Sequence, residues 1–190
     1  MLRRRAEPSK FQIARISTHA AGIESHMTVK TSGSRDAELR RHLLELINGS
    51  HAHANFDAAI KGLPAGLRGK RPRGADYSLW QLVEHLRIAQ WDILAFSRDA
   101  RHISPPWPSG YWPVKAAPPT ATAWDRTVRA FRRDRKAFCG LISDPATDLY
   151  APILHGTGQT ILREAMLIAD HNAYHVGQII LVRKLLGAWG

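Results

Sequence analysis

The stretch "DHNAYHVGQI", residues 170–179, places His171 and His175 four residues apart inside the last apolar segment of the chain. On a helix this spacing sets both imidazoles on one side, about 40° apart by the 3.6-residue period. A third histidine, His85, falls near the middle of another helical segment, at the edge of its apolar face. Three imidazoles from two facing helices can meet at one level of a bundle, which is how bundles assemble metal sites. Neutral imidazole is a good ligand for Zn, Ni, Fe or Cu, and three protein ligands leave one position open for water or substrate. Spacing alone does not separate a ligand pair from two hydrogen-bonded core histidines. With 10 histidines in 190 residues, a shuffled chain already gives roughly 0.5 pairs at spacing four. Asp170 points well to one side of the pair and is a poor ligand candidate.

A hydrolytic reaction at such a site needs a base beside the open position. His53 and Asp57 are the catalytic candidates, because they continue the stripe Leu39, Leu43, Leu46 of a first helix. They serve equally well as a structural pair bonded to each other. His51 and Asn55 point elsewhere. Tyr111 and Trp112 could roof the pocket or simply pack a proline-rich loop, and His155 sits in a loop and is expected to be exposed. Cys139 reads as a small core residue rather than a nucleophile. No Cys-x-x-Cys occurs, which excludes a thiolate zinc site.

The elements that must position these groups are helical. The first is expected from about Asp36 to Lys61, closed by Gly62 and Pro64. The second runs from about Leu79 to Asp99 behind a Ser78/Gln81 capping box, with Leu79, Leu82, Val83, Leu86, Ile93 and Phe96 on its apolar face. Six prolines between Pro105 and Pro119 forbid a long helix there, and the aromatics of "PPWPSGYWP" suggest a packed loop or lid. The third helix spans about Ala123 to Leu141, with Thr122 and Asp125 as a further capping box. The fourth spans about Ile161 to Leu186, capped by Thr160 and stopped near Gly187. Its inner stripe reads Ile161, Ala165, Ile168, Asn172, His175, Ile179, Val182, Leu186: apolar at both ends, polar in the middle. Four long helices without convincing strands predict an all-α, antiparallel four-helix bundle over residues 34–190, with long proline-rich connecting loops. Residues 1–33 lack an apolar period and read as a flexible N-terminal extension, for which Met27 as the true start is one explanation and a transit peptide another.

The net charge of +11 is spread over "MLRRRAEPSK", "RGKRPR" and "DRTVRAFRRDRK". In the last of these Asp125 and Asp134 interrupt the basic run, so a solvated face is expected and nucleic acid is not. No run approaches the roughly 20 apolar residues of a membrane span. One cysteine and no secretory signal point to a reducing, cytoplasmic compartment.

"SLWQLVEHLRIAQWDIL", followed much later by "LREAMLIADHNAYHVGQIILVRKLLGAW", resembles the DinB-like superfamily of four-helix bundles over residues 36–190. The resemblance implies that His85, from the second helix, and the His171/His175 pair of the last helix bind a divalent metal ion (Zn, Ni, Fe or Mn). It implies a shared metal scaffold whose better-understood branches are thiol-dependent transferases and isomerases. The functional expectation is therefore a metal-dependent transferase using a low-molecular-weight thiol such as bacillithiol, mycothiol or glutathione, or a metal-dependent hydrolase. A non-catalytic metal-binding or stress-related module is the alternative. The resemblance and the largely apolar last helix also suggest a homodimer acting on a small molecule.

Overall fold

The computed structural model describes residues 32–49 and 52–190. They form five α-helices: α1 (Ser32–Asn48), α2 (Phe56–Ile60), α3 (Leu79–Arg98), α4 (Ala123–Ser143) and α5 (Ile161–Leu185). Among the described residues there is no strand, only an isolated bridge between Pro152 and Thr160. Ser32 and Gly33, the end of the expected extension, already belong to α1, and the rest of that extension lies outside the described residues, as does His51. No described helix is long and apolar enough to cross a membrane.

The single first helix expected from about Asp36 to Lys61 is two helices. Asn48–Gly49 is a stop: Gly49 adopts φ +62 and its N–H bonds back to the Glu45 and Leu46 carbonyls. A glycine in this left-handed conformation is the common way to end a helix. Asn55 then opens α2, its side chain accepting from the Ala58 N–H at 2.9 Å. The inner stripe of α1 also differs from the expected one. Leu43 and Ile47 are buried, whereas Leu46 is 60% exposed.

Helix α3 starts at the expected capping box, with Ser78 and Gln81 bonding reciprocally. The Ser78 hydroxyl also donates to the Ala116 carbonyl at 2.5 Å, which ties the following loop to the helix start. The expected box at α4 does not form. Thr122 is helical in its own backbone, and its hydroxyl accepts from the Arg126 guanidinium at 2.8 Å instead. Thr160 caps α5 through the Arg163 N–H. Gly187, at φ +66, closes α5 with bonds from Gly187 N to Lys184 O and from Ala188 N to Arg183 O, the Schellman pattern. The charge of Arg183 is not solvated. Its guanidinium donates to the Ala59, Lys61 and Ala188 carbonyls and locks the end of α5 to the end of α2.

Helix α3 packs against α4 and α5, and α1 packs against the same two helices. Two apolar clusters result. One joins Leu79, Leu82, Val83 and Leu86 of α3 to Phe56, Phe131, Val176, Ile179 and Val182. The other joins Leu94 of α3 to Leu43, Ile47, Phe138, Ile142, Ile161, Ala165 and Ile168. Between them on α3 and α5 lie the buried polar residues Gln90, Asn172 and His175, and the buried His85 sits beside them among the α3 residues of the first cluster. The polar middle of the last helix's stripe is thus a layer across the core. Asp134, read as part of a solvated face, is buried, with one oxygen taking a bond from Arg133 at 2.9 Å.

Candidate metal centre

His85 projects from α3, and His171 and His175 project from adjacent turns of α5. His85 and His175 are buried and His171 is half-buried. The Nε2 atom of His85 lies 3.0 Å from Nε2 of His171 and 3.1 Å from Nε2 of His175. One ligand nitrogen from each ring falls within 4.8 Å of the other two. A tetrahedral ion about 2.0–2.1 Å from each imidazole nitrogen separates its ligand atoms by about 3.3–3.4 Å, close to this arrangement.

The far side of each of two rings is committed. Nδ1 of His85 lies 3.0 Å from the Tyr111 carbonyl oxygen, which can only accept. The proton is therefore on Nδ1, and Nε2 carries a lone pair. Nδ1 of His175 lies 2.7 Å from Oε1 of Gln178, one helical turn on, and donates to it in the same way. The His85–His175 approach is thus a contact between two lone pairs rather than a hydrogen bond, and a cation between them removes the repulsion. This is the donor chemistry of a three-imidazole metal site with two of its outer nitrogens oriented by hydrogen bonds.

The electrostatics agree. Burial drives the His85 pKa down to about 4, with the Tyr111 carbonyl opposing and His175 adding to the fall. Burial, then His175 and His85, push His171 down to about 3. Burial also lowers His175, against the effect of Gln178. All three rings are neutral at pH 7, the form that ligates.

The proline-rich loop builds one wall. Trp112 stacks on His85 with centroids 3.8 Å apart and planes 4° from parallel, and Tyr77 stacks on Trp112 at 3.8 Å. The Tyr111 hydroxyl donates to Asp92 of α3 at 2.5 Å, and the other oxygen of Asp92 meets Nε2 of His102 at 2.6 Å. Gly110 permits this path, since a Cβ there would lie 2.6 Å from Pro105 Cβ. Tyr111 and Trp112 therefore touch His85 directly, in addition to packing the proline-rich loop. Gln178, Asp92 and His102 were not anticipated. Gln178 was findable as the polar residue one turn beyond His175, whereas the Asp92–Tyr111 contact depends on a loop path with no local periodicity.

His53 and Asp57 do not sit on one stripe with Leu43, because α1 ends at Asn48. His53 is exposed, with Nδ1 3.1 Å from the Ala54 carbonyl. Asp57, on α2, is gripped by Arg132 at 2.7 Å and Arg135 at 2.9 Å of α4. Although partial burial works the other way, these two arginines hold its carboxyl below the usual range. Cys139 is partly buried, and burial raises its thiol pKa, which disfavours a nucleophilic role. His155 is exposed in its loop, and Asp170 is exposed on α5.

Residues 50–179 match the DinB superfamily, and the chain belongs to it. The match contains all three histidines. No curated protein and no solved structure matches the chain.

Proposed function

We propose that this DinB-superfamily chain is a divalent-metal-dependent enzyme on an antiparallel four-helix bundle of α1, α3, α4 and α5, with His85, His171 and His175 as the ligands and a low-molecular-weight thiol as co-substrate. The observation that carries this reading is the convergence of three Nε2 atoms, two of them on rings whose Nδ1 protons are already committed. An ion held there would lower the pKa of a bound thiol or water, so that its nucleophilic form is accessible near neutral pH.

Thiol transfer is better supported than hydrolysis. The base candidates for hydrolysis are occupied elsewhere: Asp57 by two arginines, and His53 in the exposed segment beyond α1. Transfer needs less of the protein. A C–S bond forms, the leaving group departs with its bonding pair, and the thiol proton passes to solvent. His85, His171 and His175 hold the centre. Trp112 and Tyr111 fix the His85 ring and wall off one side of it.

Elemental analysis of the purified protein is expected to find one divalent ion per chain. His171→Ala is expected to lose it with helical content unchanged. His42→Ala, an exposed α1 residue bonded to Glu45, is expected to keep it. A screen of glutathione, mycothiol and bacillithiol against an alkyl or aryl halide is expected to show turnover with one thiol in the wild type only. Stoichiometric metal without turnover favours the non-catalytic metal-binding module, and absence of metal removes both readings.

A further inference from the structure

The proline-rich loop lies along one face of α3. The Ser78 hydroxyl at the helix start donates to the Ala116 carbonyl at 2.5 Å, Gln81 Nε2 donates to the Pro113 carbonyl at 3.0 Å, and His85 Nδ1 donates to the Tyr111 carbonyl at 3.0 Å. Later helix residues meet earlier loop residues, so the loop runs antiparallel to the helix. At about 100° per residue, Gln81, His85 and Asp92 fall within roughly 40° of one another around α3. His85 is thus one rung in a row of side chains that grip the loop.

Asp92 ends the row. It stands seven residues beyond His85 on α3, about 10 Å along the axis, too far to touch the imidazole itself. Asp92 is buried, and the same loop takes both of its oxygens. Oδ2 accepts from the Tyr111 hydroxyl at 2.5 Å. Oδ1 lies 2.6 Å from Nε2 of His102, which must donate because a carboxylate only accepts. Burial, then the Asp92 carboxylate, push the Tyr111 hydroxyl up to about 12, so it keeps its proton and remains the donor.

The loop backbone supplies no substitute for this hold. Pro105, Pro106 and Pro108 have no N–H, and the N–H groups of Gly110 and Tyr111 bond within the loop, to the Pro106 and Pro108 carbonyls. Among the described residues, the hydrogen bonds that tie residues 102–111 to α3 are those of His85 and Asp92.

We propose that Asp92, with His102, is a positioning residue for the histidine centre: its carboxylate clamps the loop at two points and thereby holds the Tyr111 carbonyl on His85 Nδ1, which keeps the His85 Nε2 lone pair facing His171 and His175. The effect on metal binding rests on the three-histidine reading. The effect on the His85 tautomer does not.

The test therefore begins with the metal-free full chain, in which long-range proton–nitrogen-15 correlation near neutral pH reads which nitrogen of each histidine carries the proton. The wild type is expected to hold the His85 proton on Nδ1. Tyr111→Phe and Asp92→Ala are each expected to give a mixture of the two tautomers, because without a fixed acceptor the proton can sit on either nitrogen. The double variant is expected to go no further than either single one, since both remove the same bond. Asp92→Asn can still accept from Tyr111 and donate to His102, and is expected to keep the wild-type tautomer. His175, held by Gln178, is expected to stay protonated on Nδ1 throughout, which separates a local effect from general loosening. Chelator competition is then expected to show metal affinity about tenfold weaker in Asp92→Ala, with Asp92→Asn near wild type. If Asp92→Ala fails to fold, Tyr111→Phe decides, because it removes the same bond with little change in volume. A wild-type His85 protonated on Nε2, or one that keeps its Nδ1 proton in Tyr111→Phe, would overturn the proposal. So would Asp92→Asn behaving like Asp92→Ala, which would assign the effect to charge rather than to the clamp. A wild type without metal would remove the enzyme reading and leave the tautomer result standing.

Discussion

The Nδ1–H of His85 donates to the Tyr111 carbonyl oxygen at 3.0 Å. This bond joins α3 to the proline-rich loop and decides which nitrogen of His85 faces His171 and His175. The loop is anchored twice more, by the Tyr111 hydroxyl on Asp92 and by Trp112 stacked on the imidazole. A backbone carbonyl sets the tautomer, so side-chain substitution at Tyr111 can alter the loop's position without removing the acceptor itself. Gln178 does the same work for His175 through its side chain, which makes it the more direct target.

Gln178→Ala is expected to weaken metal binding by about 10–100-fold, the usual effect of removing a residue that orients a ligand. Competition with a chelator of known affinity measures it. Helical content should not change, since Gln178 is only half-buried. Unchanged affinity would mean that packing alone orients His175.

The three histidines also set an acid limit on the metal-free protein. Their folded pKa values lie below the unfolded value of about 6.5. As pH falls below that value, the unfolded chain takes up protons that the folded one refuses. Stability is therefore fully present above about pH 6.5 and lost progressively as pH falls towards about 4 for His85 and about 3 for His171. Urea unfolding of metal-free protein from pH 8 to 4 should show this decline. Replacing all three histidines with alanine should flatten it across the same window. Bound metal is expected to be released in the same direction, because protons compete for the ligating nitrogens.

The sequence exposed most of the helical skeleton because caps and periodicity are local. Ser78, Thr160 and Gly187 mark the ends of α3 and α5 where expected. The break in the first helix was written as Asn48–Gly49, but the apolar repeat on either side hid it. The repeat Leu39, Leu43, Leu46 puts Leu46 on the inner face, whereas Ile47 fills that place. The meeting of His85 with His171 and His175 was legible from residue type, mid-helix position and family pattern together. The contributions of Tyr111, Trp112 and Asp92 were not, because a loop has no period to show which carbonyl or ring it presents. Asp57 was misplaced for a related reason. Its partners Arg132 and Arg135 lie on α4, far along the chain, and only tertiary packing reveals them.

Helix α5 shows apolar side chains to solvent along much of its length. Met166 is 57% exposed, Tyr174 63%, Leu181 56% and Leu185 55%. Together with Asp170 and Gly177, these residues recur at steps of three and four, so they form one stripe on the outer side of the helix. Gly177 is exposed in the middle, and nothing lies within 4 Å of where its Cβ would be, so a neighbouring backbone could approach there. A stripe of this kind suits a twofold contact in which α5 packs on its own copy. The expected outcome is a homodimer in light scattering at micromolar concentration. Leu181→Glu with Leu185→Glu should convert it to monomer, because the pair would set four carboxylates into one apolar seam. Leu181 and Leu185 lie six and ten residues beyond His175 along α5, so the monomeric variant is expected to keep its metal. A wild-type chain that remains strictly monomeric across that range would leave the stripe without this role.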